Sequence, residues 1–457
     1  YICLRSEKNG RLCVVMSSSQ TEKITLDTQN EKEADKSNEP CEDSSSVPLT
    51  SSEQQVAQNE PPDGGLLAWS QVLAGHLATM SSTGYTNAFG FFLSYYTTAL
   101  DESPSTISWV VSIQGFLIYF IAAFSGRAMD AGYYYHFAIT GLILQLLGIF
   151  MTSLVSSYWQ LMLAQGICQG LGSGLVITPT MAVVATYFSK KRALAMCGVS
   201  SGSATGGVIF PLIARQLLGR VGMGWTVRTF GFVCLANAAI TLAIIKPRKL
   251  PRKSGAVIAL GSLRDAWFGV FALAMFMLML GFYFVYYYVT SFAQNVLSAP
   301  TGTSLTLLLV INALGVPGRI IPSCLSDWYT GPQNMLMILV ALTGILGFVW
   351  AGIHSLSGLW GLVVLYGFIG ANIQSLTAPA LASAGRDPAK IGAEMGMIFT
   401  VMSIGQLAGP PIAGALISSG GGDYFYAQMF AGSVIIGGAL LFIASRALSA
   451  GWKWKKC

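Results

Sequence analysis

The chain has 457 residues, of which 53% are hydrophobic and only 10% are charged. Soluble proteins carry about 25% charged residues, so this composition excludes an ordinary soluble protein and predicts a polytopic membrane protein. The net charge of +6 conceals two regions, because residues 1–60 hold 6 Lys and Arg against 11 Asp and Glu. The excess of basic residues therefore lies in the apolar body and does not indicate nucleic-acid binding.

The first sixty residues are rich in Ser, Glu, Gln, Lys and Asn and show little apolar periodicity. Such a segment cannot bury enough apolar surface to fold alone, so residues 1–60 are predicted to be a disordered cytoplasmic tail. The chain begins at Tyr1, and Met16 is expected to be the native start. We recognise no cleaved signal peptide in this segment.

Apolar stretches recur along the rest of the chain. A membrane-spanning helix needs about 20 apolar residues, so the body is predicted to be all-α with twelve transmembrane helices. They are expected at residues 68–98, 106–126, 134–155, 158–186, 193–218, 225–245, 266–294, 303–326, 333–353, 357–383, 393–418 and 424–447.

Basic residues gather at one end of these predicted helices. Cytoplasmic loops carry an excess of Lys and Arg, so this end and both termini are predicted to be cytoplasmic. At the other end, only Arg220 and Arg215 are basic. The basic end holds Arg127, Lys190, Lys191, Arg192, Lys246, Arg248, Lys249, Arg252, Lys253, Arg264, Arg386, Lys390, Arg446, Lys453, Lys455 and Lys456.

The longest basic loop, residues 246–265, divides the body in two. We predict six-helix bundles at 61–245 and 266–447, followed by a basic cytoplasmic tail at 448–457. Landmarks also repeat between the halves at nearly one offset, which predicts two parallel repeats. The pairs are Asp130 with Asp327, Lys191 with Lys390, and Pro211 with Pro410.

Three predicted helices are unusually rich in small residues, and in two of them glycines recur at four-residue spacing. Small residues at this spacing let helix backbones approach closely in a membrane. Two interpretations stay open, fixed helix packing and surfaces that slide during a conformational change. The ladders are Gly166, Gly170 and Gly174, and Gly198, Gly202 and Gly206; in helix eleven Gly405, Gly409 and Gly414 lie around Pro410.

No Asp or Glu falls clearly inside a predicted span, so a carboxylate proton relay is not indicated. Arg319 falls well inside the eighth helix, where a charged residue needs water, a partner or a ligand. It either extends toward the cytoplasmic surface or binds an anionic or carbonyl-bearing substrate. Asn312 lies seven residues earlier on the same helix face and favours a polar cavity. Arg228, near the outer end of helix six, is expected to reach the surface.

The remaining polar candidates lie on helices one, seven and ten. His76 is the only histidine well inside a span; it either couples a proton or is a neutral buried histidine with one partner. Asn87 is three turns later and is expected on the same face as His76. Asn372 and Gln374 are the candidates on helix ten, and Tyr283 is positioned to line a substrate path.

Motifs of soluble enzymes do not stand out. There is no phosphate-binding GxxxxGK[ST], HExxH or CxxC motif, so no ATP-driven pump, enzyme, metal site or cofactor is predicted. The eight cysteines are interpreted as packing residues or free thiols rather than a disulfide framework. The predicted partners are the lipid bilayer and a small-molecule substrate, with or without a proton, and no obligate protein.

Several segments resemble the monocarboxylate porter family of the major facilitator superfamily, in its fungal form. Pro62-Asp63-Gly64-Gly65 followed by Trp69 is similar to the first family signature. Tyr187-Phe188-Ser189-Lys190-Lys191-Arg192-Ala193-Leu194-Ala195, with Gly198, Gly202 and Gly206, is similar to the second. Asn87-Ala88-Phe89-Gly90, Asp387-Pro388, Gly392, Gly396 and Gly409-Pro410-Pro411-Ile412-Ala413-Gly414 resemble further family stretches.

The resemblance implies a major facilitator fold and alternating access, with Arg319 at the position of an arginine that binds the substrate carboxylate in animal lactate carriers. The chain departs from those carriers because Gly315 replaces their acidic residue and helix one has no lysine. After Asp130 and Gly132, tyrosines follow where the superfamily has basic residues. Proton–lactate symport of the animal kind is therefore not expected.

The sequence predicts a secondary active or facilitative transporter of a monocarboxylate-like acid or a secondary metabolite, placed in the plasma membrane. The alternatives are an efflux pump for a fungal secondary metabolite and an uptake carrier for riboflavin or another vitamin. From a different class, a nutrient sensor would bind a molecule without moving it.

Overall fold

The computed structural model describes residues 61–130, 133–189, 191–248, 260–384 and 391–451. These described residues belong to one compact unit. The predicted N-terminal tail, residues 249–259 of the predicted linker and most of the predicted C-terminal tail lie outside the described residues.

Helices make up the regular structure of these described ranges. Ten helical stretches are long and apolar enough to cross a membrane. The helices are α1 (Gly65–Thr79, Met80–Gly84, Tyr85–Asn87 and Phe89–Ala99), α2 (Pro104–Asp130), α3 (Tyr134–Thr152), α4 (Tyr158–Ala185), α5 and α6 (together Arg192–Ile244), α7 (Ala266–Asn295), α8 (Thr301–Thr330), α9 (Pro332–Ala351), α10 (Leu356–Ala384), α11 (Ile391–Ser419) and α12 (Phe425–Ala450).

The ten long stretches correspond to twelve spans, because one stretch contains two helices and α1 is less apolar than the other spans. Arg192–Ile244 would extend about 80 Å as one helix, far more than a bilayer requires. Gly222, with φ 76° and ψ 175°, breaks it into α5 (192–221) and α6 (223–244). α1 is divided by a π-helical turn at Met80–Gly84 and by Ala88. Counting α1, and counting α5 and α6 separately, the described chain has twelve spans, and the predicted fold class is confirmed.

Helix pairing repeats between the two halves. α1 packs on α5 and α2 packs on α4, and six helices later α7 packs on α11 and α8 on α10. This is the pairing expected of two parallel repeats. The main contacts between halves are α2 with α11 and α5 with α8. They are equivalent under the same six-helix repeat, because α2 corresponds to α8 and α5 corresponds to α11. Below, the end at which α1 begins is called the proximal end, and the opposite one the distal end.

The glycine ladder of α5 packs inside the first half. An added Cβ at Gly202 would collide with the carbonyl oxygen of His76, and one at Gly206 would lie 2.5 Å from the carbonyl oxygen of Met80. Gly198 likewise lies against Val72 of α1. Because α1 and α5 belong to the same half, these contacts favour fixed helix packing over a sliding surface.

We predict that Gly202→Ala lowers the thermal unfolding temperature of the detergent-purified protein by several degrees, since the new methyl group must push α1 away from α5. Overpacking of this kind costs about 1–3 kcal/mol. Gly269→Ala on α7 is the matched control, because nothing lies within 4 Å of a Cβ there. Equal unfolding temperatures for the two variants would contradict the close approach.

Candidate functional site

Arg319 is buried between the two halves of the molecule. Its side chain is 4% exposed, and Nη1 donates to the carbonyl oxygen of Gly315 at 2.8 Å. Nη2 donates to Ser203 Oγ of α5 at 2.7 Å, while Nε has no hydrogen-bond partner among the described residues. The guanidinium therefore joins α8 to α5, and its Nε–H is a donor that a ligand could use.

The direction of this side chain decides between the two interpretations of Arg319. Gly315 precedes Arg319 by one turn on the distal side, so the guanidinium turns toward the middle of the helix and not toward the proximal surface. Room for this turn depends on Gly315, because a Cβ there would lie 2.8 Å from Arg319 Nη1. The arginine thus does not extend to the membrane surface.

Ser203 brings two of the predicted residues together. Asn87 Nδ2 donates to the carbonyl oxygen of Ser203 at 3.4 Å, while the hydroxyl of Ser203 accepts from Arg319. Asn312 is buried two turns before Arg319, and its Oδ1 faces Gly207, where a side chain would collide with it. These residues of α1, α5 and α8 form the arginine cluster, which we define as Asn87, Ser203, Asn312 and Arg319.

Asn372 of α10 supports the backbone of Arg319. In the amide orientation that satisfies both of its polar atoms, Nδ2 donates to Ser323 Oγ at 2.9 Å and to the carbonyl oxygen of Arg319 at 3.1 Å. Its Oδ1 then accepts from the backbone nitrogen of Ser323 at 3.2 Å. Asn372 is therefore a positioning residue for this turn of α8.

Tyr283 and Gln374 meet in a second polar group, the tyrosine cluster, together with Tyr119 of α2. Gln374 Nε2 donates to Tyr283 Oη at 2.5 Å, and the hydroxyls of Tyr283 and Tyr119 are 3.2 Å apart. The ring of Tyr283 stacks on Tyr287 with centroids 5.3 Å apart. Gln374 lies two residues after Asn372, which contacts the backbone of Arg319, so the two clusters are neighbours along α10.

His76 contacts α5 at another level. Its Nδ1 is 3.0 Å from the carbonyl oxygen of Gly198 and 3.2 Å from Ser201 Oγ. Asn87 reaches α5 at Ser203, so both residues face the same helix. Among the described residues, the hydrogen bonds of His76 do not reach the arginine cluster, and the structure does not bring them together.

Asp63 joins the two segments that resemble family signatures. Its carboxylate accepts from the backbone nitrogens of Ser189 at 2.5 Å and Lys191 at 3.5 Å, and its own N–H donates to the carbonyl oxygen of Tyr187 at 3.1 Å. Trp69 packs edge-on against Phe188. The start of α1 is thereby tied to the loop that leads into α5, which begins at Arg192.

The other motif residues lie at helix ends or in helix contacts. Gly65, with φ 81°, starts α1 directly after Gly64. The carbonyl oxygen of Pro410 in α11 accepts from Tyr288 Oη at 3.0 Å. Asp130 ends α2, but its side chain lies outside the described residues.

The two halves are hydrogen-bonded across the distal end. Thr290 Oγ1 donates to the carbonyl oxygen of Gly90 at 2.9 Å, and the hydroxyls of Ser94 and Ser291 are 3.2 Å apart. A Cβ at Gly90 would lie 2.8 Å from the carbonyl oxygen of Tyr286. These contacts between α1 and α7 are called the distal seam.

Sequence reasoning missed Ser203 and Tyr119, which complete the two clusters. One hydroxyl in a helix full of small residues carries no distinguishing signal, and Tyr119 lies in a run of aromatic residues. Glu394 was likewise not among the candidates. Glu394 is in the first turn of α11 but only 5% exposed, and its Oε1 accepts from Ser262 Oγ at 2.6 Å.

Comparison with known proteins identifies the relatives of this chain. Residues 75–410 match the family model described as Major Facilitator Superfamily. An MFS-type transporter of Gibberella zeae is 41% identical, over 84% of this chain and 88% of that protein. The Aspyridones efflux protein apdF of Emericella nidulans is 33% identical, over 86% of this chain and 80% of that protein.

Two further comparisons extend the likeness. The Agnestins efflux protein AgnL12 of Paecilomyces divaricatus is 31% identical, over 82% of this chain and 86% of that protein. The crystal structure of the nucleoside transporter NupG has a TM-score of 0.63 and 14% identity, covering 82% of this chain and 99% of that one. At that identity the NupG likeness concerns the fold alone.

Proposed function

This chain belongs to the Major Facilitator Superfamily, and we propose that it exports an anionic or carbonyl-bearing organic molecule that binds at Arg319. The coarser activity follows from the family and its relatives: the chain is a multi-pass membrane transporter of small organic molecules. The proposal adds a direction, a chemical class and a binding residue.

The buried charge of Arg319 carries the proposal. A charged residue in a membrane span is costly and is kept where it binds a partner or a ligand. Arg319 makes two hydrogen bonds to uncharged oxygens, and Nε has none among the described residues. Guanidinium binds carboxylate through two parallel N–H donors, so an anionic group can exchange for the Ser203 hydroxyl.

The tyrosine cluster supplies a surface for the rest of the substrate. Its phenol and amide groups offer uncharged hydrogen bonds, and stacked rings favour flat, conjugated molecules. This combination supports a ring-bearing metabolite with one acidic or carbonyl group more than it supports a very small acid such as lactate.

Exchange at Ser203 links binding to alternating access. Ser203 belongs to the first half and Arg319 to the second, so their hydrogen bond holds the halves together. A ligand that replaces Ser203 removes a contact between halves and changes the balance between the two open states. In this proposal Arg319 binds the cargo, and the loss of its bond to Ser203 changes the balance between the open states.

Export is favoured over uptake by the names of two relatives, the Aspyridones efflux protein apdF and the Agnestins efflux protein AgnL12. Within the superfamily we assign the chain to the monocarboxylate porter family, supported by the joined signature segments around Asp63. The excess of Lys and Arg supports a cytoplasmic proximal end and cytoplasmic termini, and we propose that the chain lies in the plasma membrane.

We predict that Arg319→Gln abolishes uptake of the exported molecule into inside-out vesicles while leaving protein level and unfolding temperature near normal. The assay panel contains aspyridones, agnestins and simple monocarboxylates. Arg228→Gln is the matched control, because Arg228 binds Ser153 and lies over Trp225 near the distal end of α6. Normal flux through the Arg319 variant would overturn the site. Binding without flux in the unmodified chain would indicate a sensor.

We also propose that His76 couples proton movement to export, since an imidazole can take up and release a proton and its Nδ1 lies between the carbonyl oxygen of Gly198 and Ser201 Oγ. His76→Gln keeps a hydrogen-bonding side chain next to Gly198 but cannot take up a proton. It is therefore predicted to flatten the dependence of vesicle flux on pH, measured from pH 5 to 8 with and without an imposed proton gradient. An unchanged pH profile would exclude His76 from coupling.

A further inference from the structure

A cavity of about 320 Å³ lies at the distal end, between the ends of α1, α5 and α7 and the start of α8. It is separate from the arginine and tyrosine clusters, because none of their residues lines it. Its volume falls in the range of pockets that hold small organic molecules. The wall therefore combines residues of both halves of the transporter.

The wall of this distal cavity is uncharged and mostly apolar, with a few hydroxyl and amide groups. Ser94 and Thr98 of α1 face it one turn apart, Thr290 and Gln294 of α7 do the same, and the rings of Phe91 and Tyr95 contribute apolar surface. Such a wall binds an aromatic molecule that carries hydroxyl or carbonyl groups. A carboxylate is expected to bind more tightly at Arg319, because no described residue that lines this cavity carries a positive charge.

Two wall residues also form the distal seam. Thr290 donates to the carbonyl oxygen of Gly90, and Ser94 pairs with Ser291. A molecule that bonds to the hydroxyls of Ser94 and Thr290 competes with these contacts between halves. Occupation of the cavity therefore weakens the closure that separates the central clusters from the distal side.

We propose that the distal cavity is a second binding site for the uncharged, hydroxylated aromatic part of the cargo. It receives the molecule as it leaves Arg319 and favours opening of the distal seam. This inference rests on the proposed export function, and it adds a site whose chemistry is complementary to that of the arginine cluster.

The test uses the full chain in nanodiscs and two radiolabelled probes that differ in one group. 4,4′-Dihydroxybiphenyl is uncharged, and 4′-hydroxybiphenyl-4-carboxylate is its anionic counterpart. Thr98→Trp fills the cavity, and the matched control is Thr97→Trp, at a neighbouring position of α1 that does not line it. Equilibrium binding is measured for both variants and for Arg319→Gln, with empty nanodiscs as the blank.

Thr98→Trp is expected to weaken binding of the uncharged probe about tenfold, while Thr97→Trp and Arg319→Gln leave it unchanged. A binding constant that does not respond to Thr98→Trp, or absence of binding to the unmodified chain, would overturn the distal site. Loss of the anionic probe in Arg319→Gln would at the same time support the central site. The experiment can therefore reject the distal site without rejecting the central site at Arg319, and the reverse.

A labelling experiment guards against misfolding of the filled variant. Ala99→Cys places a thiol in the cavity wall, and a membrane-impermeant maleimide reports its access from the distal side. The uncharged probe is expected to slow labelling of the Ala99→Cys thiol. Labelling of the native cysteines, measured in the chain without this substitution, is the background that is subtracted. Labelling at the same rate with and without probe would contradict occupation of the cavity.

Discussion

A buried guanidinium with uncharged partners is the interaction on which the centre of this molecule depends. Placing a charge in mid-membrane costs about 2.5–3.5 kcal/mol on insertion scales, and hydrogen bonds to Gly315 and Ser203 offset that cost without supplying an opposite charge. An acidic partner would satisfy the charge permanently. Glycine at position 315 instead leaves room for the side chain to turn back, with a donor available for a ligand.

The surrounding helices hold this arrangement in place. α1 and α5 approach closely at Gly202 and Gly206, which fixes the level at which Ser203 faces α8. Asp63 ties the start of α1 to the loop before α5, so these helices move together. Because each half is tied together internally, a change of conformation falls on the contacts between halves, which include the Arg319–Ser203 bond, the Tyr119–Tyr283 contact and the distal seam.

The fold was readable from sequence because spans of about 20 apolar residues and the bias in basic residues are large, additive signals. Arg319 and Asn312 were also accessible, since charge or amide in an apolar helix is rare. Ser203 and Tyr119 were not, because hydroxyl-bearing residues are common in such helices and only tertiary contacts select among them. Gly222 was equally hard to identify among 51 glycines, although its φ of 76° divides α5 from α6.

The most direct test asks whether the arginine serves binding or folding. Arg319→Met keeps much of the side-chain volume and removes the buried charge, so thermal unfolding of the purified protein should occur at the same or a higher temperature. The transported metabolite should raise the unfolding temperature of the unmodified chain and leave that of the variant unchanged. A strongly lowered unfolding temperature, or an equal ligand-induced increase in both proteins, would contradict the assignment of Arg319 as the substrate-binding residue.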